Sequence, residues 1–207
     1  MGITIYASGK IDGIYELPRL IEDVKAAAEK HNWTYRSIND DFGVQPNAAL
    51  SVNEMPGKMA SITGSLGLKG LILKMDPNVE TLAVLFDCNG VLTDVLSQLS
   101  WIEGKGQEER FTACKTQYGS IDSHIRIVEF LDRLKKKYIS NLTVRDEGAY
   151  WESRNRRLLA EKRVALGHFL RHAEKVISGI EISDADAHDP ERIASKIEEA
   201  LLKEEDG

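Results

Sequence analysis

Apolar and polar positions alternate in short runs at both ends of the first third of the chain, with a longer period between them. Residues 3–11 (ITIYASGKI) carry β-branched and aromatic residues at alternating positions and predict a strand, closed by the turn pair Asp12-Gly13. From about 15 to 31 the apolar positions Leu17, Leu20, Ile21, Val24, Ala27 and Ala28 recur at helical spacing. Pro18 falls in the first turn of that helix, where a missing N–H costs nothing. Residues 33–38 predict a short strand. Residues 39–68 hold scattered apolar positions among Pro46, Pro56, Gly43, Gly57, Gly64 and Gly67, and read as a long loop, an insertion or a stretch hiding a strand.

Further on, 69–75 predicts a strand and 76–78 a turn. Two apolar runs, 80–88 and 91–96, flank Asn89-Gly90, the residue pair preferred in a two-residue type I′ turn, and predict a β-hairpin. Residues 111–117 predict another strand. Ser120 is placed to cap a helix reaching about Tyr138, whose apolar arc (Ile121, Ile125, Ile127, Val128, Phe130, Leu131, Leu134) is wide enough for deep burial. A short strand at 142–145 precedes a long helix at about 153–178, with Leu158, Leu159, Leu166, Phe169, Leu170, Ala173, Val176 and Ile177 expected inward. Pro190 opens a last amphipathic stretch.

Strands joined by short turns must run antiparallel. The expected class is therefore α+β: a twisted antiparallel sheet with helices on one face, plus a C-terminal helix. That run of elements resembles the curved sheet of the TATA-box-binding-protein type, a likeness of fold that implies no function. Residues 1–180 are expected to form a single domain and 181–207 an acidic helical tail.

Composition narrows the class. With 207 residues, the chain is long enough to bury a core without disulfides. Hydrophobic residues at 42% and charged residues at 29% are ordinary globular values. The longest aliphatic and aromatic run, 82–86, is far short of a membrane helix, and the N-terminus lacks the pattern of a signal peptide. A soluble, cytoplasmic protein follows, with no membrane partner. Cys88 and Cys114 form no CxxC pattern and read as two buried free thiols in a reducing compartment. A thiolate at Cys114 beside Lys115 is the sharper alternative, although strand neighbours point to opposite faces.

Charge is segregated. The chain nets −6, yet residues 133–175 hold twelve Lys/Arg against five acids, a net +7, leaving the remainder at −13. This stretch reads as a solvated helix face, as a phosphate- or nucleic-acid-binding face, or as a dock for the acidic tail. No aromatic platform interleaves its cations, which disfavours nucleic acid as the partner.

Residues 85–94 (LFDCNGVLTD) resemble the first motif of the haloacid-dehalogenase-like phosphatases. The resemblance implies a nucleophile at Asp87, in a parallel sheet, but Asn89 stands where that family has its second, proton-transferring Asp. Gly64, Gly67 and Gly70 precede a strand and are not followed by a helix, so they read as a loop instead of a dinucleotide fingerprint. No HxH occurs, and neither a metal nor a cofactor is expected.

The densest polar-aromatic segment is Asp146-Glu147-Gly148-Ala149-Tyr150-Trp151-Glu152. Its acids can bind a cation, exchange a proton or serve the following helix N-terminus, and its aromatics can line a pocket or cover a core edge. His124 lies in the apolar arc of its helix, close in sequence to Thr116 and Gln117. Lys115-Thr116-Gln117 and Asp146 to Glu152 resemble segments found in bacterial proteins of unknown function, which implies no activity. The candidate binding site is Lys115, Gln117, His124, Asp146, Glu147, Tyr150 and Trp151, and its expected occupant is a small molecule or a protein. The leading expectation is a ligand- or partner-binding protein with a polar cleft. A metal-assisted hydrolase using Asp87 or the acids of 146–152, and nucleic-acid binding through 133–175, are the alternatives. A homo-oligomer is compatible with all three.

Overall fold

A computed structural model describes residues 2–51, 60–105, 110–180 and 190–205. The chain divides into two compact units, residues 2–159 and the segment from Ala160 onward. The class is α+β, with antiparallel strands throughout.

In the first unit β1 (Thr4–Ser8) leads through a 3-10 turn, Ile14–Glu16, into α1 (Leu17–Lys30). Pro18 occupies its first turn, and Leu17, Leu20, Val24 and Ala28 form its buried stripe. Asn32, at φ 55, ends it in the left-handed conformation that asparagine tolerates. The chain continues as β2 (Thr34–Asn39), β3 (Ala49–Ser51), β4 (Ser61–Thr63), β5 (Lys69–Lys74), β6 (Leu82–Phe86) and β7 (Leu92–Thr93). After these come α2 (Val95–Ile102), β8 (Thr112–Lys115), α3 (Ile121–Lys137), β9 (Thr143–Asp146), α4 (Tyr150–Ser153) and α5 (Arg156–Ser178). The second unit holds most of α5 and all of α6 (Pro190–Glu205).

The strands divide among three sheets instead of forming one: β8-β1-β9, β2-β5-β6-β7 and β3-β4. The bridge between Lys10 and Val91 links the first two. One face of each larger sheet closes on a common core with α1 and α3, containing Ile5, Leu20, Leu73, Phe86, Ile127 and Leu131. A smaller core, with Leu68, Leu85 and Leu99, lies on the opposite face of the four-stranded sheet. Ser120 caps α3 as expected, its hydroxyl accepting from the Ser123 N–H at 3.0 Å.

The stretch 39–68 agrees with the last of its three readings, a stretch hiding a strand, since β3 and β4 pair within it. Several other local readings are corrected. The hairpin at Asn89-Gly90 is present, but Gly90 alone has positive φ (77°), whereas a type I′ turn needs it at both central residues. The Gly90 N–H donates to the Asp87 carbonyl, closing a four-residue turn with Gly90 as its left-handed exit. The run 91–96 is not one strand: Asp94 caps α2, accepting from the Ser97 N–H at 2.7 Å. The long helix is interrupted at Arg154, whose φ of 50° breaks the spiral between α4 and α5. Within α5, Leu159 and Val176 are buried, but Phe169, Leu170 and Ile177 are exposed. Cys88 is also exposed, because it stands in the hairpin turn and not within β6. No helix among the described residues is long and apolar enough to cross a membrane.

Candidate functional site

The pairing of β1 with β8 and β9 brings three distant segments together. Thr4 lies opposite Lys115, and Ile5 opposite Asp146. Inward-facing positions of β9 alternate, so Val144 and Asp146 enter the core while Arg145 faces out. Asp146 meets His124 from the first turn of α3, whose Nε2–H donates to Oδ2 at 3.0 Å. The Thr116 hydroxyl stands 2.7 Å from His124 Nδ1 and 3.1 Å from the Ile3 carbonyl. Thr116 and His124 are fully buried.

Asp146 also organises the segment that follows it. Oδ1 accepts from the Gly148 N–H at 2.7 Å; Oδ2 accepts from those of Tyr150 and Trp151 at 2.8 and 2.9 Å. Burial pushes this carboxyl up, but the hydrogen bond from His124 and those from Trp151 and Gly148 outweigh it and hold it below the ordinary carboxylate value. Gly148 is required by close approach: a Cβ there would lie 2.7 Å from Leu159 and 2.9 Å from the His124 ring. Tyr150 presents its ring edge-on to His124, and Trp151 is flanked by Lys135 and Arg154.

The other three predicted residues lie around the start of β1. Glu147 Oε2 accepts from the Thr4 N–H at 2.8 Å, and the Glu147 N–H donates to the Thr4 carbonyl. Lys115 and Gln117 both approach Gly2. The seven residues are thus neighbours through β1, but His124 and Asp146 face inward, and none of the seven lines any of the three cavities described below.

A second buried polar group was not anticipated. Arg110 donates to Asp87 Oδ2 at 2.8 Å and to Gln98 Oε1 at 3.0 Å, and its guanidinium lies 4.7 Å from the Trp101 ring centroid. The side chains of Arg110 and Asp87 are 10% and 5% exposed. Gln98 donates in turn to the Leu66 carbonyl. Asp87 Oδ1 accepts from the N–H groups of Asn89 and Val91. Asp87 therefore anchors an antiparallel hairpin, in contrast to the parallel sheet that the phosphatase resemblance implies. An acid buried at a strand end is the sequence signal that calls for a cation nearby.

Arg110 also lines a cleft of about 330 Å³ together with Ser8, Gly9, Lys10, Asn141 and Thr143. Asn141 Oδ1 accepts from the Lys10 N–H at 2.9 Å, which fixes the cleft wall. Two further cavities, of about 530 and 470 Å³, flank β2.

Several cations of 133–175 are taken by acids: Lys136 and Arg154 by Asp132, Lys137 by Asp23, and Arg156 by Asp122. Cys114 is buried and its thiol is pushed up to about 12, by burial first and by Glu80 second, which removes the thiolate alternative. Among the described residues no three His, Cys, Asp or Glu are grouped to hold a metal ion. No protein-family model, curated protein or solved structure matches the chain.

Proposed function

We propose that the chain is a ligand-binding protein and that its ligand is a small anion bearing a phosphate or carboxylate group. The cleft of Ser8, Lys10, Arg110, Asn141 and Thr143 is its binding site. The supporting observation is the fixed guanidinium of Arg110. Two of its five N–H donors are used by Asp87 and Gln98, the others have no partner among the described residues, and the group lines the cleft. Planar, pre-oriented donors suit carboxylate and phosphate oxygens. Asp87 offsets the charge of Arg110, so Lys10 supplies the excess positive charge, while Asn141 and Thr143 offer neutral hydrogen bonds.

In this reading the Thr116–His124–Asp146 network is support. Its groups satisfy one another inside the core, as buried polar groups must. A hydrolase built on Asp87 draws less support, because both carboxylate oxygens are occupied. Nucleic-acid binding through 133–175 is weakened by the ion pairs that take up its cations.

The test is an amide NMR titration of the whole chain with inorganic phosphate and, separately, citrate. Saturable shifts at Ser8, Gly9, Lys10, Asn141 and Thr143, weakened at least fivefold in Lys10→Ala, are expected. Absence of shifts in this set with both anions, or equal binding by Lys10→Ala, overturns the proposal.

A further inference from the structure

β2 is the outer strand of its sheet and pairs with β5 in unbroken register from Thr34↔Lys74 to Asn39↔Lys69. The Asp40 N–H donates to the Leu68 carbonyl at 3.0 Å, one step further in the same register. Hydrogen-bonding direction alternates along an antiparallel strand. Thr34, Arg36 and Ile38 therefore bond toward β5, and Tyr35, Ser37 and Asn39 turn their N–H and C=O groups to the open side. Among the described residues those outward groups have no partner.

Natural sheets blunt such edges with brevity, proline, bulges or several charges. β2 is six residues long (TYRSIN), has no proline or bulge, and carries Arg36 as its single charge. Among the described residues the other edge strands are covered or shorter, β9 having four residues and β3 and β4 three each. β8 receives the Glu80 N–H at Lys115, and β7 has only two residues.

β2 also lies between two cavities, and Ser37, Ile38 and Asn39 line both. Ser37 and Asn39, opposite Leu71 and Lys69, border the 530 Å³ cavity, whose wall includes Leu17, Ile21 and Phe42. Arg36 and Ile38 border the 470 Å³ cavity on the other face, which also contains Asp40. Tyr35 is 39% exposed, and Arg36 is exposed without an ion pair among the described residues.

We propose that β2 pairs with β2 of a second copy of this chain, antiparallel about a two-fold axis at Ser37. Outward groups must meet outward groups, so Tyr35 lies opposite the second copy's Asn39, and Ser37 opposite the second copy's Ser37. An isologous contact of this kind closes on itself. In this register the second copy's Tyr35 stands beside Asn39 at the mouth of the larger cavity, near Phe42 and the Lys69 ammonium. The second copy's Arg36 stands beside Ile38 on the other face, one diagonal step from Asp40, within reach of a long side chain. In this pairing Tyr35 reaches toward Phe42 and Arg36 toward the Asp40 carboxylate, at the opposite end of the second copy's strand. The Asp40 carboxylate accepts from Leu68 N–H and Ser65 Oγ and retains lone pairs for a cation.

The test is cross-linking in the full chain with Cys88→Ser, comparing Ser37→Cys with Tyr35→Cys under mild oxidation. Directly opposed, hydrogen-bonded residues have Cα atoms about 5.5 Å apart, inside the disulfide range. Two copies of Tyr35 would be offset by four residues, about 14 Å, outside that range. A disulfide-linked dimer from Ser37→Cys and none from Tyr35→Cys is expected. Light scattering of the unaltered protein should approach twice 23.1 kDa as concentration rises, and Arg36→Asp should return it to 23.1 kDa. A monomer at every concentration, including one whose β2 edge instead accepts an extended peptide, overturns the proposal. So does equal cross-linking of both cysteine variants, or a dimer that neither cross-links at Ser37 nor responds to Arg36→Asp.

Discussion

His124 Nε2 donates to Asp146 Oδ2 across 3.0 Å, with neither side chain exposed to solvent. With Thr116 at the opposite ring nitrogen, the three residues have the composition of a nucleophile–base–acid series, but its place in the core turns it to another use. The hydroxyl is fully buried and its oxygen already lies against the Ile3 carbonyl, so no substrate atom can reach it. What the network does is tie β1, β8, β9 and the first turn of α3 together at one point, directly beneath the segment 146–151.

Replacing Asp146 by Asn tests that role. The carboxylate accepts from His124 and from three backbone N–H groups, whereas an amide presents an NH₂ group to some of the same donors. Buried donors left without acceptors cost the most. Asp146→Asn should destabilise the fold by about 2–4 kcal/mol, the scale for leaving one or two buried donors without an acceptor. Urea unfolding followed by Trp fluorescence measures it; a loss under about 1 kcal/mol contradicts the assigned role.

Acid sensitivity follows from the same group. Asp146 and Asp76 are held below their ordinary value of 3.8: Asp146 by its hydrogen bonds in spite of burial, Asp76 chiefly by the Ser123 hydroxyl. A carboxyl lowered in the folded state adds stability that is complete above the unfolded pKa and is lost as pH falls through the folded one. Asp94, raised by burial, acts oppositely and favours the fold more at lower pH. Asp23, Asp122 and Asp132 are lowered as well, chiefly by hydrogen bonds from Lys137, Arg156 and Lys136, so five lowered carboxyls against one raised give a net loss below pH 3.8. Asp146→Asn should flatten the slope there by up to about 1.4 kcal/mol per pH unit, one proton's worth. Urea midpoints measured between pH 2.5 and 6 read it directly.

Much of this was legible in the chain, and what was not has identifiable causes. Ser120 followed by the arc from Ile121 to Leu134 specifies a capped, buried helix through local rules alone, and α3 obeys them. Asn89-Gly90 announces a turn but fits more than one type; the N–H groups of Asn89 and Val91, drawn to Asp87, select the one observed. Asp94 is a good cap, yet Val91-Leu92-Thr93 before it reads as strand, and that run hid α2. His124 and the 146–152 segment stand out by residue type, and His124 does meet Asp146. Their inward orientation depends on β1, more than a hundred residues earlier, lying between β8 and β9. Arg110 carried no local signal, because its role is set by Asp87 across 23 residues.

That pair supports a coupling prediction. Arg110→Met leaves the Asp87 carboxylate buried with one oxygen unpaired, and should cost about 3–5 kcal/mol. Adding Asp87→Asn removes the orphan charge while retaining an oxygen for Asn89 and Val91. The double variant should recover about 1–3 kcal/mol relative to the sum of the single changes, the range for residues in direct contact. Additive losses in a thermodynamic cycle would mean that the two groups do not act as a pair.

The cysteines should separate by reactivity. Cys88 is exposed in the hairpin turn, whereas Cys114 is buried with its thiol near 12 and its Sγ against the Glu80 carbonyl. A thiol reagent at pH 8 should titrate one of the two cysteines in the native protein and the second only in denaturant. A fast second equivalent without denaturant would contradict the placement of Cys114.

Gly148 and Ala149 are adjacent and should respond to substitution with opposite signs. Ala149 holds φ 57 and ψ 18, a left-handed conformation in which its Cβ crowds the backbone. That conformation costs a non-glycine residue roughly 1–2 kcal/mol, partly offset in glycine by the greater freedom it loses on folding. Ala149→Gly should therefore stabilise the protein by about 0.5–1 kcal/mol. At Gly148 the demand is for space. An added methyl would approach Leu159, His124 and Asp146 to 3.0 Å or less, and all three belong to the tightly packed centre of the network. Gly148→Ala should destabilise by about 1–3 kcal/mol, as overpacked cores do. Thermal unfolding of the two single variants measures both effects, and a shared sign would separate one of them from the cause assigned here. The contrast matters for the segment as a whole. Its turn is held in a strained backbone by the four hydrogen bonds that Asp146 accepts, so Ala149→Gly should also reduce the cost of Asp146→Asn when the two are combined.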